Sequence, residues 1–168
     1  EDGVPFVKHY LIDFGASLGS ASFMANSPRD GNVSLFSWKA SAAQFFTLGM
    51  YTPRWQRAVY PDIPAAGRFE YEIFDPLLWV PDYPNAAFAN ENRADREWAA
   101  RKVAAFTDEE IRAIVAAGQY SDPAAEEWVA RCLIERRNKV VRSILQGTTA
   151  LDRFEVSGGK LRFEVAAP

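Results

Sequence analysis

One cysteine and one histidine among 168 residues remove several chemistries at once. Cys132 alone closes no intrachain disulfide. Cys132 and His9 together cannot build a cysteine zinc cluster or a multi-histidine metal site. A single thiol fits a reducing compartment without requiring one. The chain also lacks a basic excess, with a formal net charge of −3. A duplex-binding surface needs cations that displace counterions from phosphates, so nucleic acid is a poor candidate partner. No apolar run approaches the roughly 20 residues that span a bilayer. The opening residues, Glu1-Asp2-Gly3-Val4-Pro5, do not resemble a signal peptide.

What is present is ample core material, at 48% hydrophobic and 14% aromatic residues. The length suits one domain over residues 1–168. The expected class is α+β, predominantly α. Phe6 to Ile12 reads as a strand, and Asp2-Gly3 before it is a hairpin-turn signal. A hairpin turn needs a strand on both sides, and the chain begins at the turn. The expectation is therefore the C-terminal part of a larger protein, carrying the remnant of a hairpin. Residues 15–37 read as an irregular loop with a short strand at Val33–Phe36. A short helix is expected over Lys39–Met50, closing near Gly49. Pro53 to Pro84 is rich in proline and aromatics, which excludes long helices. It reads as an ordered wrapping segment whose rings anchor on a helical body.

The second half carries sharper signals. Arg93–Phe106 reads as a helix with Trp98, Val103 and Phe106 among its apolar positions. Thr107-Asp108-Glu109-Glu110 has the pattern of a capping box, opening a helix to about Ala117 with Gly118 as its stop. Asp122 is a good N-cap and Pro123 suits a first helical position, so the longest helix starts there and ends at Gly147. Trp128, Cys132, Leu133, Val140, Ile144 and Leu145 form its expected apolar stripe. A C-terminal hairpin follows, with Phe154 and Val156 alternating before Gly158-Gly159 and Leu161, Phe163 and Val165 after it.

One segment suggests chemistry. Asp13-Phe14-Gly15 follows the first strand directly and leads into a loop containing Ser17, Gly19 and Ser20. A hard cation prefers carboxylate oxygen, a strand end fixes that oxygen, and glycine lets the chain turn away. In this placement the tripeptide resembles the metal-binding segment of protein-kinase-like folds. The bland alternative is an aspartate that only forms a turn. Asp13-Phe14-Gly15-Ala16-Ser17 is also similar to the first phosphate loop of actin-like and sugar-kinase-like ATPases. That fold would continue in a mixed sheet, whereas proline-rich chain and helices follow here.

A wider resemblance rests on four stretches. These are Phe6 through Gly15, Ala105-Phe106-Thr107-Asp108-Glu109, Gln119-Tyr120-Ser121-Asp122-Pro123 and Leu133 through Lys139. Together they look like an uncharacterised family of long bacterial proteins, over nearly the whole chain. That resemblance implies an upstream segment similar to a kinase-type catalytic loop. It implies a C-terminal lobe of a kinase-like phosphotransferase, inactive alone. Asp13 would hold magnesium, and Gly15, Ser17, Gly19 and Ser20 would lie beside the phosphates of ATP. The partner would be the upstream part of the same polypeptide. The chain itself has no Gly-rich nucleotide loop with a strand lysine, no His-Arg-Asp loop and no Ala-Pro-Glu motif, so it lacks the remaining catalytic parts. The alternative is a non-catalytic interaction or scaffold module, a pseudokinase remnant.

Other residues have plainer roles open to them. His9, Leu11 and Asp13 share a strand face, where His9 orients Asp13, donates to a phosphate, or, as the favoured reading, is simply a hydrogen-bonded structural residue. A triad using Ser17 or Ser20 lacks a nucleophile elbow. Arg136, Arg137, Lys139 and Arg142 read as a solvated helix face rather than a grip on phosphate or an acidic partner, because Glu126, Glu127 and Glu135 share the helix. Core packing is expected for Trp38, Trp55, Trp79, Trp98 and Trp128 in preference to sugar stacking.

Overall fold

The computed structural model describes residues 15, 17–21, 24–146 and 151–165. The expected first strand, the Asp2-Gly3 turn, His9, Asp13, Phe14 and Gly147 lie outside the described residues. What is described is mostly α, with two small antiparallel β pairs, as the composition implied. A two-residue ladder, β1 (Ser20–Ala21) with β2 (Met24–Ala25), precedes helix α1 (Trp38–Phe46). Irregular chain with 3-10 turns at Arg54–Arg57 and Pro64–Ala66 leads to a single-turn helix, α2 (Ala86–Ala89). Helices α3 (Arg93–Ala104), α4 (Asp108–Ala116) and α5 (Pro123–Leu145) follow, then the hairpin β3 (Leu151–Ser157) and β4 (Lys160–Val165).

Local chemistry sets most of the boundaries. In α4, Thr107 Oγ accepts from the Glu110 amide at 3.1 Å, and the Glu110 carboxylate accepts from the Thr107 amide at 2.8 Å. Asp122 caps α5 by accepting from the Ala124 amide at 2.8 Å, with Pro123 following it. The Gly158-Gly159 turn has φ of +57° and +73°, which glycine adopts without a side-chain clash. Val33–Phe36 is not a strand. Leu35 has φ +49°, its amide donates to Asp82 O at 2.9 Å, and its carbonyl accepts from Arg29 at 2.8 Å. These contacts fold the segment back instead of extending it.

The core lies along α5. Ile111 and Val115 of α4 pack with Ala125, Val129 and Cys132 of α5 and with Ala66 and Phe69 of the irregular segment. Farther along, Ala100 of α3 meets Val141 and Leu145. The expected stripe is only partly buried, because α5 is packed on more than one side and buries Ala125, Val129, Ala130, Ile134 and Val141 as well.

The wrapping segment is held by donors from one row of α5. Trp128 Nε1 donates to Phe69 O at 2.7 Å, and Arg136 Nε donates to Glu70 O at 2.6 Å. Lys139 Nζ donates to Tyr71 O, Glu72 O and Phe74 O at 2.6, 2.8 and 3.1 Å. Cys132 sits in the same row, its Sγ 3.8 Å from Phe69 O. Positions 128, 132, 136 and 139 recur at helical spacing and share a face. Residues 69–74 have no ladder partner, so side chains of α5 satisfy the carbonyls of residues 69–72 and 74, and Arg54 donates to that of Ile73.

This corrects the expectation of a solvated basic face. The Arg136 guanidinium lies 4.3 Å from the Phe69 ring centroid and 4.5 Å from that of Phe74, and it pairs with Glu70 at 3.5 Å. Arg137 is only 7% exposed, bonding Phe106 O at 2.7 Å and the Asp108 carboxylate where α3 hands over to α4. Of the four cations only Arg142 is exposed.

The tryptophans need a correction too. Trp128 packs beside Tyr71, but Trp38, Trp79 and Trp98 are exposed. Trp98 stands two residues before buried Ala100, hence about 200° around α3. The α3–α5 contact is made by the small side chains Ala100 and Ala104, with Val103 and Phe106 left at the surface.

Candidate functional site

Two places could carry function, and they differ in what supports them. The first is the Gly15–Ser20 loop. Gly15, Ser17 and Ser20 are exposed, while Gly19 is buried. Gly19 has φ +88°, and a Cβ there would lie 2.8 Å from Ala66 O and 2.8 Å from Phe69 Cβ. Its carbonyl accepts from the Asn26 amide at 3.0 Å and from the Arg68 amide at 2.8 Å. Gly67, φ +61°, is packed directly against Gly19, so the two glycines form a close backbone crossing. The crossing ties the loop to the segment that α5 grips. Two exposed hydroxyl groups are thereby set on an anchored backbone. Asp13, on which the metal reading depends, lies outside the described residues. Among the described residues no group of three metal-ligating side chains comes together.

The second place is α1. Ser37 caps it, with the Ala40 amide donating to Ser37 Oγ at 3.3 Å. At the other end Thr47 Oγ donates to Ala43 O at 2.7 Å and accepts from the Tyr51 amide at 2.9 Å. Leu48 (φ +51°) and Gly49 (φ +84°) then reverse the chain, so the helix stops before Met50. The helix turns Ala40, Ser41 and Gln44 inward. Ser37, Ala40, Ser41 and Gln44 line a hollow of about 220 Å³ together with Pro53 and Trp55. Its large side chains point out. Trp38 is 80% exposed, Phe45 77%, Phe46 82%, and beyond the helix Leu48 is 92% and Met50 80%. Trp38, Ala42, Phe45 and Phe46 occupy about 100° of the helix circumference, with exposed Lys39 at one margin. No residue of α1 is buried.

No family model, curated protein or solved structure matches the chain. The functional reading therefore rests on the residues themselves.

A third feature lies beside α1. Ser27, Arg29, Asp30, Asp82 and Tyr83 surround a hollow of about 240 Å³. Partial burial, and then the nearby Asp82 carboxylate, raise the Asp30 pKa from its ordinary value. Elsewhere burial pushes the Cys132 thiol up to about 12, which keeps it protonated and unreactive at neutral pH. Burial lowers the Arg136 pKa, while Glu70 acts in the opposite direction.

The sequence reading missed Trp38, Phe45, Phe46, Leu48 and Met50 as surface residues. A helical projection of residues 38–46 groups their large side chains on one side, but it does not say whether that side faces the core.

Proposed function

We propose that this chain is a non-catalytic docking module whose working surface is the outward face of α1. The observation that carries the reading is the orientation of that helix. Ser41 and Gln44 face the protein, whereas its aromatic residues face solvent. A contiguous apolar surface of this kind marks an interaction site, because isolated proteins bury such rings where they can. The body built on α5 supplies the rigid support. The test is the double substitution Phe45→Ser with Phe46→Ser. Binding of a hydrophobic-surface dye is expected to fall several-fold, while the melting temperature stays within the range of a neutral surface change. A melting temperature lowered by many degrees would show that these rings belong to a core, and the reading would fail.

A second reading keeps the kinase-like chemistry. Its support is the Asp13-Phe14-Gly15 motif and the Gly19–Gly67 crossing, which fixes the backbone following the motif. In that reading Asp13 holds magnesium, Gly15, Ser17, Gly19 and Ser20 lie beside the phosphates of ATP, and the upstream part of the same polypeptide supplies the missing catalytic groups. The check is magnesium-dependent nucleotide binding by a version containing that upstream part. Equal binding by it and its Asp13→Ala variant would remove Asp13 from the site.

A further inference from the structure

We propose that the α1 face docks on the surface of an anionic lipid bilayer, an assignment that rests on the docking reading above and names its partner. The first argument is shape. Trp38, Phe45, Phe46, Leu48 and Met50 project from one helix and the turn that closes it. A Cβ placed on Gly49 would meet nothing within 4 Å, so the Leu48-Gly49-Met50 turn stands clear of the body. A lipid interface accepts a projecting turn and a helix lying in its plane without needing a complementary groove. Trp38, at one end of the face, and Tyr51, at the other, suit the headgroup level, where aromatic side chains with a polar edge concentrate.

The second argument is charge. The chain carries −3 overall, yet residues 31–61 contain Lys39, Arg54 and Arg57 and no carboxylate. Lys39 borders the apolar face, and exposed Arg57 makes one side-chain contact, to Thr52 O at 3.4 Å. Arg54 pairs with Asp75 at 3.4 Å, which leaves Lys39 and Arg57 as the uncompensated cations. Of the neighbouring carboxylates, Asp30 and Asp82 line their own hollow with Ser27, Arg29 and Tyr83, and exposed Asp62 stands just past the end of the band. An apolar face bordered by Lys39, with a second uncompensated cation on the 3-10 turn that shares the hollow behind α1, matches a leaflet that is negative at its surface and apolar beneath. A second copy of the chain fits less well. Two-fold pairing through α1 would gather both copies of Lys39 at one interface, with no carboxylate in residues 31–61 to neutralise them.

The experiment is cosedimentation of the full chain with two kinds of vesicle, pure phosphatidylcholine and phosphatidylcholine containing about 30% phosphatidylserine. Binding to the anionic vesicles is expected, with at least about tenfold weaker binding to the neutral ones and a loss on raising the salt. Phe45→Ser with Phe46→Ser should abolish binding. Lys39→Glu with Arg57→Glu, which leaves every ring in place, should reduce it at least about tenfold. Absence of vesicle binding overturns the proposal, as does equal binding to both vesicle types or binding indifferent to either pair of substitutions. Suppose the wild type ignores vesicles but self-associates in the ultracentrifuge, and the serine pair abolishes that. The lipid assignment then falls while the docking reading stands. No vesicle binding together with a serine pair that unfolds the chain would sink both.

Discussion

Helix α5 leaves none of its large apolar side chains exposed, whereas α1 exposes every one it has. Each has a side-chain cap at its start, Asp122 for α5 and Ser37 for α1. Their surroundings account for the difference. The second half of α5 contacts α3 and its first half α4, while a row of its donors holds the irregular segment 69–74. Helix α1 meets the rest of the protein through serine, alanine and glutamine. The comparison teaches that apolar content does not decide which face of a helix becomes core. What decides is whether another element is available to cover it.

The same substitution made in the two helices should therefore have unequal effects, the larger in α5. Trp128→Ala removes an indole that packs on Tyr71 and donates to Phe69 O at 2.7 Å. The expected cost is about 3 kcal/mol, from lost packing plus a carbonyl left without its donor. Urea unfolding of the variant and the wild type measures it, and a cost below about 1 kcal/mol would mean that the grip on the wrapping segment is weak.

Lys139→Met keeps much of the side-chain length and removes the charge. Three carbonyls, of Tyr71, Glu72 and Phe74, lose one shared donor. Water can reach the exposed Glu72, which limits the expected loss to about 1–2 kcal/mol. Faster amide exchange confined to residues 71–75 would show that the segment loosens from α5 before the helices themselves open.

Cys132→Ala is expected to cost about 1 kcal/mol at neutral pH, since a small buried side chain becomes smaller still. Its distinguishing effect is at alkaline pH. Burial raises the folded thiol's pKa from an ordinary value of 9.0 to about 12. The folded state therefore holds this proton more tightly than the unfolded state does. The stability it contributes is complete below the unfolded value and is lost as pH rises from there through about 12. The alanine variant should lose stability less steeply over that window. Parallel curves for the two proteins would show that the thiol is hydrated in the folded state.

The parts of this fold that were legible in the sequence are those decided within a few residues. Thr107 with Glu110, Asp122 with Pro123, and Gly158-Gly159 each satisfy a local backbone requirement, and each appears where its spacing placed it. Features decided at long range were not legible. Leu35 leaves the extended region because Asp82 receives its amide, 47 residues away in the chain. Arg136 and Lys139 are taken up by carbonyls 66 and 68 residues away, which no pattern within their own helix announces. Gly19 reads as part of an irregular loop until Gly67 is found packed against it. The outward face of α1 escaped for the same reason. A helical projection finds an apolar side, and only the rest of the structure tells whether anything covers it.

The smallest expected effect is the counterpart of the first. Trp38→Ala removes the same side chain as Trp128→Ala, but from a position 80% exposed, where its contact is an edge-on approach to Phe36 at 5.0 Å. Little apolar area returns to water when the indole is lost, and alanine favours the helix somewhat more than tryptophan. The two terms nearly cancel, so unfolding in urea should change by no more than about 0.5 kcal/mol in either direction. A loss of about 2 kcal/mol or more would place Trp38 in a packed environment and make α1 an ordinary half-buried helix. A neutral result, set beside a large loss at Trp128, would mean that the exposed indole is there for something other than folding.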